Sequence, residues 1–293
     1  MGRLIDETAG FLESNGLNCT RQMRHGFEVL CTITPGGRRQ RIILPLEITA
    51  GTPEEAAQTS EEAYESVMMI RQMEGFPLII TRDRWERQRK MTEARLLAHL
   101  EIFSQTYARN CEVRRIEKAE AQAFLKENHS YGDAACRYRY GLFLKRHTGH
   151  NSDREDGIGK LIAVATFSNA RKWIKEGKEI RSYEWTRYAS LPGMRISGGM
   201  GKLLNAFIKE VQPDDIMSYA DLEWSEGTVY RTLGFINEEM KDPVTFAVDP
   251  STWERFPIRS GRSGAEVSAF PSGNLFFRNF GSSKYRLKLT DYK

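Results

Sequence analysis

Between residues 182 and 211 the chain reads as a strand, a glycine-rich turn and an amphipathic helix, and no other stretch constrains the fold as tightly. Ser182 to Ala189 is a β-rich run, followed by Arg195-Ile196-Ser197-Gly198-Gly199-Met200-Gly201-Lys202. Leu203, Leu204, Phe207, Ile208 and Val211 then recur on one helical face. Glycine lets backbone N–H groups approach an anion closely, and the helix N-terminus adds its dipole, so a pyrophosphate is the natural guest. The turn is not a Walker A loop. Ile196 stands where the first glycine belongs, and Leu203 follows Lys202 where Ser or Thr would bind magnesium. Nor is it a dinucleotide fingerprint, since Leu204 replaces the third glycine.

The rest of the chain sets the frame for that turn. Its 293 residues are 40% hydrophobic and 28% charged, which supports one or two real cores and excludes disorder, collagen and coiled coil. No apolar run approaches the roughly 18 residues of a membrane span. Met1 to Glu7 carries acids early and does not read as a signal peptide, so a cytoplasmic protein with no membrane partner is expected. Cys19, Cys31, Cys111 and Cys136 lie far apart, and they read as reduced thiols.

Residues 1–110 read as a small α+β domain of unassigned role. Phe27 to Ile33 and Arg41 to Ile48 flank the turn Thr34-Pro35-Gly36-Gly37-Arg38, which predicts a hairpin. Thr52, Pro53 and Glu55 form a capping box ahead of a helix with Ala56, Ala63, Val67 and Ile70 inward. Pro77 to Thr81 reads as a buried strand, and a long charged helix from about Arg84 to Tyr107 closes the segment. Residues 111–293 read as a second domain. Strands are predicted over 113–116, 140–144, 160–167, 182–189, 215–220, 244–248, 275–280 and 285–289, with helices over 118–128, 198–211 and 227–233. Lys145 to Gly159 reads as a polar loop. His147, His150, Asp153 and Asp156 within it are too irregularly spaced for a metal site, and no metal is expected.

The net charge is +4, and residues 251–293 hold eight Lys or Arg against three Asp or Glu. That excess is either an ordinary solvated surface or a site for phosphates, of a cofactor or of a nucleic acid.

After the amphipathic helix come Ser218-Tyr219-Ala220-Asp221, Trp224-Ser225, Gly227, Tyr230 and Leu233-Gly234-Phe235. This order resembles the GNAT superfamily of acyl-CoA N-acyltransferases. The resemblance implies an α+β fold with a mixed central sheet flanked by helices. It also implies that the glycine turn takes the pyrophosphate of acetyl-CoA or another acyl-CoA as cosubstrate. The tyrosine before Leu-Gly-Phe, here Tyr230, would be the acid for the leaving thiolate. Arg195 to Gly199 fits the family's turn pattern, Gln/Arg-x-x-Gly-x-Gly/Ala, while Met200 departs from it at the last position and Gly201 comes one residue late. Over about 112–290 the chain is similar to GNAT-like domains of phage and mobile-element proteins akin to Mom-type DNA-modification proteins. The matching residues include Phe124-Leu125, Asn128-His129, Gly132, Gly141 to Phe143, Ala163 to Phe167, Arg171, Glu184, Arg187 and Arg278 to Tyr285. This second resemblance implies an alternative to acyl transfer onto an amine, a DNA-modification or DNA-associated protein; Met200 in the turn supports another, a non-catalytic GNAT-fold binding module.

The candidate site follows from both lines. Arg195, Ser197, Gly198, Gly199, Gly201 and Lys202 would hold the pyrophosphate. Glu184, on a central strand, is a base or one half of an ion pair with Arg187 or Arg171. Asp221 is a second base or a turn cap. Tyr230 is an acid or a core ring. His129 titrates in the useful range or caps a helix. Arg171, Arg187 and Ser225 are candidate substrate contacts. Ser197 and Ser225 have no triad partners nearby in sequence, so serine hydrolysis is unsupported.

Overall fold

The computed structural model describes residues 2–37, 39–146, 157–175, 177–258 and 273–292. The first elements in chain order are α1 (Leu4–Ser14), β1 (Cys19–Arg24), β2 (Phe27–Ile33), β3 (Gln40–Leu46), α2 (Pro53–Met73), β4 (Leu78–Thr81), α3 (Arg82–Arg87) and α4 (Arg89–His99). Then come β5 (Ser104–Tyr107), β6 (Cys111–Arg115), α5 (Lys118–Asn128), β7 (Tyr138–Leu144), β8 (Leu161–Phe167), β9 (Arg171–Lys175), β10 (Lys178–Ser190) and β11 (Met194–Ser197). The last are α6 (Gly199–Val211), β12 (Asp215–Asp221), α7 (Thr228–Thr232), β13 (Ile236–Lys241), β14 (Thr245–Val248), β15 (Arg255–Pro257), β16 (Leu275–Arg278) and β17 (Ser282–Lys288). The protein is mixed α+β, with sheets flanked by helices. Its largest sheet runs β13-β17-β12-β10-β8-β7-β6, with β9 added beside β10.

Two compact units share the chain. The first comprises Met1–Glu101, Ala220–Glu226 and Met240–Ser283; the second comprises Ile102–Tyr219, Gly227–Glu239 and Lys284–Lys293. Segments of the chain after residue 219 thus return to the first unit.

The first unit is built on the sheet β1-β2-β3-β4, antiparallel except for the parallel pair β3 and β4. Val29, Cys31, Ile42 and Leu44 pack with Ala63, Val67 and Ile70 of α2, together with Leu222, Val248, Phe277 and Phe280. Residues of β2 and β3 that alternate with these, Leu30 and Ile43, are also sealed from solvent, and α1 contacts that sheet through β1, β2 and β3. The cap at α2 forms as the sequence predicts on its Thr52 side, with Thr52 Oγ1 accepting from the Glu55 N–H at 3.2 Å. Glu55 reaches back one residue further, to the Gly51 N–H at 2.8 Å.

The single helix expected over 84–107 is instead α3, α4 and β5. Gln88 leaves helical geometry (φ −121°, ψ 35°), and Glu101 takes a positive φ of 66°. Buried charges dictate the break. Arg82, Asp83 and Arg84 are only 2%, 3% and 5% exposed, so they must meet partners instead of lining a solvated helix. Arg82 binds Glu7, Glu47 and Glu86 at 2.8–2.9 Å. Asp83 pairs with Arg255, while Arg84 binds Glu223 at 2.7 Å. Helix α1 and strand β1 have no counterpart in the sequence reading.

In the second unit β6, β7, β8 and β10 are antiparallel neighbours. Helix α5 covers one face, with Ala121, Phe124 and Leu125 against Val164 and Ala189. Helix α6 packs on β7 and β8 through aromatic rings. Phe207 lies parallel to Phe167 at 3.9 Å between centroids, and the edges of Tyr138, Tyr140 and Tyr183 approach it.

Candidate active site

Strand β10 pairs in parallel with β12 over only three rungs: Ser182 with Asp215, Tyr183 with Ile216, and Glu184 with Met217. Beyond them β10 continues to Ser190 on its other neighbour, β8. A register shift between Trp185 and Arg187 marks a bulge at Thr186, which re-aims the strand where it leaves β12. The backbone ladder between β10 and β12 therefore ends at Glu184, on the last rung, and the next β10 carbonyl, that of Trp185, accepts from the Ser218 hydroxyl instead.

Glu184 is half-buried, and its carboxylate has no hydrogen bond or ion pair among the described residues. Only its backbone is engaged, with Ser168 on both sides of the exchange. The ion pair weighed from sequence is absent from this geometry. Arg187 donates instead to the carbonyls of Gly132 at 3.1 Å and Thr186 at 2.7 Å. Burial pushes the Arg187 guanidinium below its ordinary range, and the Glu184 charge works against that shift, which places the two groups within electrostatic reach. Arg171 is exposed on β9.

Tyr230 lies on α7. Its hydroxyl is 2.9 Å from Ser218 Oγ, and Ser218 also donates to the Trp185 carbonyl at 3.0 Å. Its ring stacks on Tyr285 at 5.2 Å and meets the edges of Phe235 and Trp185. Burial raises its phenol above the usual range, so it stays protonated at neutral pH. Gly227 makes this packing feasible. It starts α7 at φ 70°, and a Cβ there would lie 2.4 Å from the Tyr285 ring. Ser218 was not singled out from sequence. Its one signal is its place on β12 within the Ser218-Tyr219-Ala220-Asp221 run.

The glycine turn is a helix start with β11 ahead of it, and β11 pairs with β5. Gly198 caps α6 at φ 78° with no side-chain cap, leaving the N–H groups of Gly199, Met200 and Gly201 without an acceptor among the described residues. That donor set suits an anion. The side chains around it are more committed. Lys202 donates its ammonium to the carbonyls of Ala108 at 2.8 Å and Cys111 at 2.5 Å. Ser197 Oγ accepts from Gln105 at 3.0 Å, and Arg195 stacks over Phe103 at 5.3 Å. A Cβ on Gly199 would meet Ile196 at 2.9 Å, so that glycine is fixed by packing. The Leu191 N–H, one of the backbone donors near the end of β10, is taken by the Ile162 carbonyl at 2.9 Å.

His129 sits at the end of α5, its N–H on the Leu125 carbonyl and its Nδ1 accepting from the Tyr131 N–H at 3.1 Å. Asp221 and Ser225 belong to the first unit. There Asp221 accepts from the Glu223 N–H at 3.0 Å and from Arg84 at 3.2 Å, the geometry of a turn cap, and its carbonyl holds the Ser225 N–H. Three basic side chains of the C-terminal segment are ion-paired. Arg255 binds Asp83 and Glu223, Arg286 binds Asp215 and Glu238, and Lys284 binds Glu238. The candidate ligands His147, His150, Asp153 and Asp156 lie outside the described residues. No helix among the described residues is long and apolar enough to cross a membrane.

No protein-family model matches the chain, and no curated protein sequence matches it. Solved structures are similar to it in part. A putative acetyltransferase, YncA from Salmonella typhimurium, solved with acetyl-CoA, has a TM-score of 0.34 and 13% identity over 62% of this chain and 96% of that one. An acetyltransferase of the GNAT family from Bacillus anthracis has a TM-score of 0.31 and 13% identity over 61% of this chain and 95% of its own. Eis1 from Mycobacterium abscessus has a TM-score of 0.34 and 16% identity over 53% of this chain, which spans only 37% of that protein. All three scores lie below 0.5, and the mixed α+β assignment rests on the sheet order itself.

Proposed function

We propose that the second unit is a GNAT-type N-acyltransferase that moves an acyl group from acyl-CoA to an amine. One observation carries this reading: β10 and β12 run parallel, part after three rungs, and leave at the parting a carboxylate with no hydrogen bond or ion pair among the described residues. A carboxylate on a central strand costs free energy unless it is paired or solvated. The bound acyl-CoA would supply an activated thioester. The N–H groups of Gly199, Met200 and Gly201 at the start of α6 would hold its pyrophosphate, while Lys202, tied to two carbonyls, would brace the turn from behind. Glu184 would take the proton from the acceptor amine. Tyr230, protonated and anchored by Ser218, would give a proton to the leaving sulfur.

The supporting geometry lies within one unit and needs neither His129 nor Asp221, which take capping positions. Titrating the full chain with acetyl-CoA by calorimetry tests the reading. Saturable binding is expected, and it should weaken when Gly198 is replaced by Val, which the left-handed cap conformation disfavours. Absence of binding at millimolar acetyl-CoA would overturn it.

A further inference from the structure

In the second unit one buried hydroxyl serves two oxygens. Ser218 is 2% exposed, and its Oγ lies 3.0 Å from the Trp185 carbonyl and 2.9 Å from the Tyr230 hydroxyl. That carbonyl is the first on β10 beyond the last rung shared with β12. Ser218 thus ties the two strands at the point where their ladder ends, and holds the phenol there.

Counting protons shows what this arrangement can do. A serine hydroxyl carries a single proton, and a carbonyl can only accept. All three groups are satisfied when Ser218 donates to Trp185 and accepts from Tyr230. The Tyr230 proton then points at Ser218 and away from any ligand. In the alternative both hydroxyls turn: Ser218 donates to the Tyr230 oxygen, the phenol proton is free for a ligand, and the Trp185 carbonyl loses its Ser218 bond. Only protons need move between the two, because the Tyr230 ring is held by its stack on Tyr285 at 5.2 Å and by the edge of Trp185 at 6.2 Å. Loss of the phenol proton tips the balance. A hydrogen bond to an anionic oxygen is roughly twice as strong as one to a neutral oxygen, so Ser218 gains more at a phenolate than it gives up at the carbonyl. Burial raises the Tyr230 phenol, and the Ser218 bond works against that rise.

We infer that Ser218 is a positioning residue for the acid: it holds back the Tyr230 proton in the empty site, and it turns to the phenolate once that proton has gone to the leaving sulfur. This rests on the acyl-transfer reading. In that step the Tyr230 O–H bond breaks, an S–H bond forms on the leaving thiolate, and the electron pair stays on the phenolate oxygen, where Ser218 donates. Water then returns a proton to Tyr230, and Glu184 releases to water the proton it took from the amine, so the count closes. The Ser218–phenolate bond forms only as the proton leaves, and it therefore speeds the chemical step without tightening acetyl-CoA binding.

Two readouts on the full chain test it. The first needs no substrate. Carbon-13 NMR of protein labelled at tyrosine follows the Tyr230 ring through alkaline pH, its signal identified by its loss in Tyr230→Phe. In Ser218→Ala the ionisation constant of Tyr230 should fall by about tenfold, and Ser218→Thr, which keeps the hydroxyl, should restore it. The second is thiol release from acetyl-CoA. Ser218→Ala should lower kcat by about tenfold with acetyl-CoA binding unchanged, and it should have no further effect in a Tyr230→Phe background. A merely structural serine would slow both backgrounds alike. If Ser218→Ala melts early, Ser218→Cys, whose thiol is a weaker donor, takes its place. Tyr230 titrating alike in wild type and variant, or the same rate loss with and without the Tyr230 hydroxyl, overturns the inference. No thiol release by the wild type with any amine overturns the acyl-transfer reading and the catalytic use of Ser218 with it, while the titration still decides whether Ser218 stabilises the phenolate.

Discussion

The two units differ in one charge. In the first, Asp83, Arg84, Glu223 and Arg255 are almost wholly buried and satisfy one another, with Asp221 and Thr81 at the edge. In the second, Asp215 and Arg286 form a buried pair as well, but the central carboxylate Glu184, at the parting of two strands, has no hydrogen bond or ion pair among the described residues. A buried ion network is costly to assemble and costlier to break. Its members are thus fixed parts of the fold. A carboxylate kept half-buried and unpaired is the opposite case, since its position is useful only if something arrives to meet it. Reading charges by whether they are matched separates structural from functional residues here better than reading them by type.

Four substitutions sharpen or break that contrast. The largest loss of stability is expected from Arg255→Ala, which strands Asp83 and Glu223. Urea unfolding should show about 3–5 kcal/mol less stability, whereas a loss under about 1 kcal/mol would mean the network is not structural. Glu184→Gln should do the reverse: stability within about 0.5 kcal/mol of wild type, and an acyl-transfer rate reduced by roughly 10²–10⁴.

The third concerns pH. Burial, followed by the charges of Arg41 and Arg95, lowers the His99 imidazole to about 4. The unfolded chain then binds a proton at higher pH than the fold does. Stability is fully present above about 6.5 and is lost as pH falls toward 4, by on the order of 3 kcal/mol. His99→Gln should flatten that part of the stability profile, and an unchanged slope between pH 6.5 and 4 would contradict the assignment. The smallest effect is expected from Tyr230→Phe. Loss of its bond to Ser218 should cost about 1 kcal/mol in stability, with acyl transfer slowed and its alkaline limb displaced.

Much of the second unit was legible in the sequence because its signals are local. The β-rich runs at 160–167 and 182–189, the glycine turn and the stripe Leu203, Leu204, Phe207 each declare their own element. The open edge of β10 was not legible, since it depends on where pairing with β12 stops, a long-range fact. Ser218 was missed for the same reason: its role exists only through Tyr230. In the first unit, the charged run after Arg84 looked like one solvated helix because polarity in sequence does not reveal burial. Arg82, Asp83 and Arg84 are interior residues whose partners lie at Glu7, Glu47, Glu223 and Arg255. Trp85 is also fully buried, with its indole N–H on Glu7 at 2.9 Å, and it was the one apolar hint that this stretch faces inward.

The central claim is that the Glu184 carboxylate at the strand parting works on a substrate. The most direct measurement is release of free CoA thiol from acetyl-CoA across a panel of primary amines, comparing wild type with Glu184→Gln at equal folded fraction. Thiol release by the wild type, slower by about a hundredfold or more in the variant with acetyl-CoA binding unchanged, is the expected result. Equal rates in the two proteins would contradict the account.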